Sequence, residues 1–200
     1  MIVNHLSPEA DSYLEYLHQD PVHGISDERP IRRRVKEDRE IFFRTENRLP
    51  IAVLCVAYTR GLPDKIGDIL DAGSDIVPIE QATHAIFYSV FRTDVDSTVK
   101  NIGADLVLEA SEIIKEKYPG IRHFTTMSPI PTLCSQFNEC PDIVGLREFL
   151  ENKKDPVARF HITNGARLLR VILDADDSEK RMTQSWGHMA NYDYTEVALK

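Results

Sequence analysis

From Ile41 onward, short apolar runs alternate with turn residues at strand-like spacing. IFFRTE, beginning at Ile41, reads as a strand, and NRLP as its turn. Ile51 to Tyr58 is almost continuously apolar, which predicts a strand buried on both faces. HAIFYSVF, His84 to Phe91, is a third strand, and Arg122 to Met127 is a fourth that ends on Ser128-Pro129. Ala104 to Lys117 predicts the clearest helix, with Leu106, Ala110, Ile113 and Ile114 on one face and a stop at Pro119-Gly120. Shorter helices are expected over Leu62 to Leu70, Ile143 to Asn152 and about Ser178 to Trp186. Ser7-Pro8-Glu9-Ala10 is a helix start, followed by Tyr13, Leu14 and Leu17 at helical spacing. Asp71 to Gln81 is irregular. Val157 to Ile162 and Ala166 to Leu173 read as strands joined at Thr163-Asn164-Gly165, because Asn-Gly is a strong hairpin signal.

This order predicts an α/β (α+β) fold: a mixed sheet with helices on both faces. His84 to Met127 forms a right-handed parallel crossover, and the early and late strands form hairpins. Two hundred residues suit one domain, 1–200, with a helix and connector over 1–30. The net charge of −8 argues against general nucleic-acid or membrane binding. It leaves an anionic ligand open, since local groups and helix ends decide that. RRRVK, Arg32 to Lys36, is either such a group or a solvated charge run. Cys55, Cys134 and Cys140 show no metal-like pairing and suit a reducing, cytoplasmic compartment, with Cys55 in the core. The N-terminus lacks the pattern of a signal peptide, and PIAVLCVAY is too short to span a membrane.

Three places carry candidate chemistry. Thr98, Val99, Lys100, Asn101, Ile102, Gly103 and Ala104 lie between a strand and the N-terminus of the main helix, where free N–H groups suit a pyrophosphate. The same residues also read as an Asn cap followed by a close-packed Gly. Ser128 ends the fourth strand, on the side of the sheet where the crossover helix begins and where ligands gather. By itself, a Ser before Pro is a turn residue. His161 alternates with Phe160 and Ile162, which places it on the opposite strand face from both. Tyr192 follows in HMANYDY, where simple packing also accounts for a tyrosine.

Taken in order, NIGA (101–104), TTMSPIP (125–131), FHITNGARLLR (160–170) and QSWGHMANYDY (184–194) resemble the catalytic domain of malonyl-CoA decarboxylases. The likeness runs from about Arg32 to Tyr194 and is strongest from Asp155 onward. It implies a GNAT-like, mostly antiparallel sheet with a splayed parallel strand pair. It implies that Ser128 contacts the acyl group, that His161 is the catalytic histidine, that Tyr192 lines the acyl pocket, and that 98–104 bind coenzyme A. The chain departs from the family at Asn101, usually Glu, and at Thr132-Leu133, usually Gly-Phe. His188 replaces an apolar residue and reads as incidental. The stretch between SPIP and FHI is much shorter than usual, and the family's N-terminal helical domain has no counterpart.

The implied reaction is decarboxylation of malonyl-CoA, or a malonyl group on a carrier protein, to the acetyl thioester and CO2. The thioester carbonyl is the electron sink, so no metal, biotin or pyridoxal is required. His161 is the natural proton donor, with an ordinary pKa of about 6.5. Two other functions stay open: an acyl-CoA-dependent acyltransferase, and a non-catalytic coenzyme-A-binding protein.

Overall fold

A computed structural model of the chain describes residues 2–3, 15–23, 33–71, 73–93 and 99–198. The expected helix start at Ser7 to Ala10, with Tyr13 and Leu14, lies outside these residues, as do most of the connector to Pro30, Arg32 and Thr98. Residues 15–17 form a helical turn, and Leu17 is buried.

The long β strands set the frame. β1 (Ile2–Val3), β2 (Arg39–Glu46), β3 (Leu49–Thr59) and β4 (His84–Arg92) run antiparallel in sequence order. Along β3, Leu54, Val56 and Tyr58 face one core, while Val53, Cys55 and Ala57 face another. That period of two, apolar on both sides, is why the strand reads as continuously hydrophobic. α1 (Gly67–Leu70) is shorter than the Leu62 start predicts; Ile69, with Ile66 just before the helix, packs with Leu17 under the second face. α2 (Ile102–Lys117) covers the first face with Leu106, Val107, Ala110 and Ile114. Ile113 lies off this stripe and is 40% exposed.

α2 returns the chain to β5 (His123–Thr126), which pairs in parallel with β4 from His84↔His123 to Phe87↔Thr126. β4 continues to Arg92 after that pairing stops, and Tyr88 is the extra residue of a bulge against β3. The strands therefore splay, and a gap opens at their C-terminal ends. β6 (Ser128–Pro129) and two helices, α3 (Leu133–Gln136) and α4 (Ile143–Glu151), follow.

The next element corrects the strand expected over Val157 to Ile162. These residues lie in α5 (Pro156–Thr163). Asp155 caps its start, accepting from Val157 N at 2.8 Å and Ala158 N at 3.2 Å, and Pro156 fills the first turn. Asn164-Gly165 is the helix's exit and not a hairpin. Gly165 has φ +96°, its N–H bonds Ile162 O at 3.1 Å, and Ala166 N bonds His161 O at 3.1 Å. β7 (Arg167–Ile172), α6 (Glu179–Ser185) and β8 (Met189–Asp193) complete the chain. β8, which the hydrophobic pattern does not reveal, pairs with β5, β6 and β7.

Within the RRRVK cluster, Lys36 is exposed, while two of the arginines depart from both readings. Arg33 and Arg34 are buried, bonded to Asp38 and Asp20 respectively at 2.6 Å.

Candidate active site

The splay between β4 and β5 becomes a cavity of about 490 Å³. Its wall is mostly apolar, with Phe87, Val90, Phe91 and Met127 among its side chains. α2 points its N-terminus into this space, and Asn101, Ile102 and Gly103 line it. Asn101 is left-handed, φ 57°, and makes no side-chain cap. The first intrahelical bond is Asp105 N to Asn101 O at 3.0 Å, so the N–H groups of 102–104 have no acceptor within the helix. A β-carbon on Gly103 would sit 3.4 Å from Val90 and 3.6 Å from Phe160, the neighbour of His161. Of the other residues expected here, Lys100 is exposed, Ala104 is buried, and neither Val99 nor Ala104 lines the cavity.

Ser128 and His161 both line the cavity and meet within it. Ser128 Oγ lies 2.9 Å from His161 Nε2 and donates to Thr126 Oγ1 at 2.8 Å. Since that hydroxyl gives its proton to Thr126, its lone pairs receive Nε2–H. On the other side of the ring, Nδ1 is 2.9 Å from the hydroxyl of Tyr194, which then donates to it. A neutral imidazole protonated on Nε2 satisfies all three contacts. Burial pushes the His161 pKa down from 6.5 to about 3, which keeps the ring neutral. His161 is therefore a buried helical residue, not one face of a strand as its alternation with Phe160 and Ile162 suggests.

Tyr192 stacks on the imidazole with ring centroids 4.6 Å apart and planes 24° from parallel. It is fully buried behind the histidine and does not line the cavity. Tyr194, which sequence reasoning passed over, makes the hydrogen bond. Tyr192 and Tyr194 are two residues apart, the first at a strand position and the second just beyond β8, so both reach the same side. That period-two spacing was the signal available in the sequence. Asp155 was missed as well: besides capping α5 it accepts from Thr132 N at 3.2 Å and Thr132 Oγ1 at 2.7 Å. One carboxylate thus joins the segment after Ser128 to the helix carrying His161. Asn191 bonds Thr126 O and accepts from Arg170 Nε, at 2.7 Å, holding β8 between β5 and β7.

The chain as a whole is similar to known proteins. The chain is 23% identical to mitochondrial malonyl-CoA decarboxylase of Rattus norvegicus, over 86% of this chain and 49% of that protein. The aligned stretch, 239 residues, exceeds the 200 present here, so that relative carries segments this chain lacks. The chain spans about half the length of the curated relatives it matches. A crystal structure of malonyl-CoA decarboxylase from Agrobacterium vitis superimposes with a TM-score of 0.83 at 28% identity, covering 100% of this chain and 60% of that one. The loading GNATL domain of CurA from Lyngbya majuscula shares the fold, with a TM-score of 0.66, 12% identity and coverage of 97% and 96%. The sequence profile of the malonyl-CoA decarboxylase C-terminal domain matches residues 10–142 and 142–200, in two segments that meet at Asp142. With nearly the whole length matched, the chain belongs to the malonyl-CoA decarboxylase C-terminal domain family.

Proposed function

We propose that this chain decarboxylates malonyl-CoA, or a malonyl thioester on a carrier protein, to the acetyl thioester and CO2. The observation that supports it best is the imidazole at 2.9 Å from a serine hydroxyl, within an apolar cavity that reaches a helix N-terminus. The N–H groups of Ile102 and Gly103 receive the coenzyme A pyrophosphate, and the pantetheine arm runs inward between β4 and β5. The malonyl carboxylate lies against the apolar wall, with Ser128 and His161 beside it.

When the bond from Cα to the carboxylate breaks, its electron pair moves toward the thioester carbonyl and CO2 leaves. A localised charge becomes a delocalised enolate, a change that a poorly solvated cavity favours. The enolate carbon then takes a proton from His161, directly or through Ser128. Resting His161 is neutral, so the proton arrives with the substrate: an anionic carboxylate beside the ring offsets the burial that depresses its pKa. Tyr192 supports the ring by stacking, and Tyr194 fixes the nitrogen that carries the proton. Three free thiols suit a reducing compartment, the cytoplasm.

The test is to incubate the purified protein with malonyl-CoA and follow CO2 and acetyl-CoA together. Equal amounts of both are expected. Free thiol released only when an amine acceptor is added would replace this reading with acyl transfer.

A further inference from the structure

Of residues 20–23, Val22 lines the cavity. Asp20 accepts from Arg34 Nη1 at 2.6 Å and from Ser89 Oγ at 2.9 Å. Its carboxylate also takes Val22 N at 2.8 Å. His23 Nε2 donates to Tyr88 O at 2.9 Å, on the bulge of β4. From the other side, Lys180 Nζ bonds Pro21 O at 2.6 Å, and the buried Arg181 bonds Val22 O. Every residue from 20 to 23 is thus tied down, either to β4 or to α6.

Val22 lines the active-site cavity and also a second cavity of about 400 Å³ on its far side. The second space is bounded by Lys65, Asp176, Lys180 and Arg181 among others. Ser89 is the Cα partner of Cys55 and lies on the second face, whereas His161 lies with Tyr192 and Tyr194 on the first; the splay joins both faces in one cavity, so an acyl group that passes Ser128 through the splay comes to Val22. The Ser89 hydroxyl gives its proton to Asp20, and beside it Val22 presents an apolar side chain to the cavity.

We propose that Val22 is the partition that sets the depth of the acyl end, and that it restricts the chain to malonyl groups bearing no substituent on Cα. An α-substituted malonyl thioester would push its extra carbon toward Val22. Only the identity of the acyl group rests on the decarboxylase reading; the partition itself rests on the cavities.

Two measurements test it. The first is the ratio of kcat/KM for malonyl-CoA to that for methylmalonyl-CoA, in the wild type, Val22→Ala and Val22→Leu. One methyl group in an apolar pocket is worth roughly 10- to 200-fold in discrimination. Val22→Ala should lower the ratio about 10-fold or more, and Val22→Leu should raise it. The second is calorimetry with acetyl-CoA and propionyl-CoA, which needs no turnover. Val22→Ala should shift relative affinity toward propionyl-CoA, and Val22→Leu away from it. Turnover with a ratio unmoved in both folded variants overturns the partition. No CO2 from any variant, with relative affinity shifted as expected, overturns the decarboxylase reading and upholds the partition. If Val22→Ala does not fold, Val22→Leu alone decides.

Discussion

The phenol of Tyr194 meets His161 at Nδ1 and Ser128 meets it at Nε2, so two hydroxyls choose the tautomer between them. Tyr194→Phe keeps the ring and removes the donor. His161 then loses the group that holds its proton on Nε2, and kcat should fall about 10-fold with KM changed less. Nitrogen-15 NMR of the imidazole gives a readout independent of turnover: one Nε2–H tautomer in the wild type, a mixture in the variant. Identical spectra would remove the assigned role. The depressed pKa has its own consequence. Since free His161 is neutral at pH 7, binding an analogue that keeps the malonyl negative charge, such as a sulfonate isostere of malonyl-CoA, should take up to one proton from buffer, whereas acetyl-CoA should take almost none. Calorimetry in two buffers of different ionisation enthalpy measures it, and equal uptake for both ligands would contradict the mechanism.

At the scale of elements, the strands and α2 were legible because burial on both sheet faces and on one helix face writes itself into periodicity. α5 was not. Phe160-His161-Ile162 alternates like a strand, and Asn164-Gly165 looks like a hairpin, but Asp155-Pro156 is a helix entry and Gly165 a helix exit. The start and stop residues outweigh a three-residue alternation. β8 escaped notice because Asn191 and Asp193 are poor strand formers; Asn191 is spent bonding Thr126 and Arg170. Ser128 and His161 were legible through family motifs, but their contact joins positions 33 apart, and nothing local encodes it. Val22 was out of reach for the same reason. Asp155 is the element-scale test. Asp155→Ala removes the α5 cap and orphans Thr132, which should lower stability by about 1–3 kcal/mol in urea unfolding. Because α5 carries His161, activity should fall further than stability alone explains, and Asp155→Asn should restore part of both. A neutral Asp155→Ala would mean that the cap does not hold the helix.

For the whole molecule, two buried histidines set an acid limit. His161 sits at about 3, and His23 at about 4, the latter depressed by burial first and then by Arg34 and Arg181, against the pull of Asp20. Both folded values lie below the unfolded 6.5, so the unfolded chain binds more protons as pH falls. Their contribution is complete above pH 6.5 and is lost downward toward pH 4 and 3. At pH 5 each should cost about 2 kcal/mol, visible as a lower urea midpoint than at pH 7. His23→Gln should remove about half of that loss. A midpoint unchanged between the two pH values would mean that neither ring is held neutral.

The turn from Asn138 to Asp142 is mostly exposed and ends at the junction of the two matched segments. Both of its banks are fixed separately: Thr132 is tied to Asp155, and Asp142 caps α4 by accepting from Gly145 N at 2.8 Å. Closing a longer flexible loop between fixed ends costs little, about 0.6 kcal/mol for each doubling of its length. The scaffold therefore has a splice port between α3 and α4, where a lid, a reporter or a docking module can be grafted without redesigning the sheet.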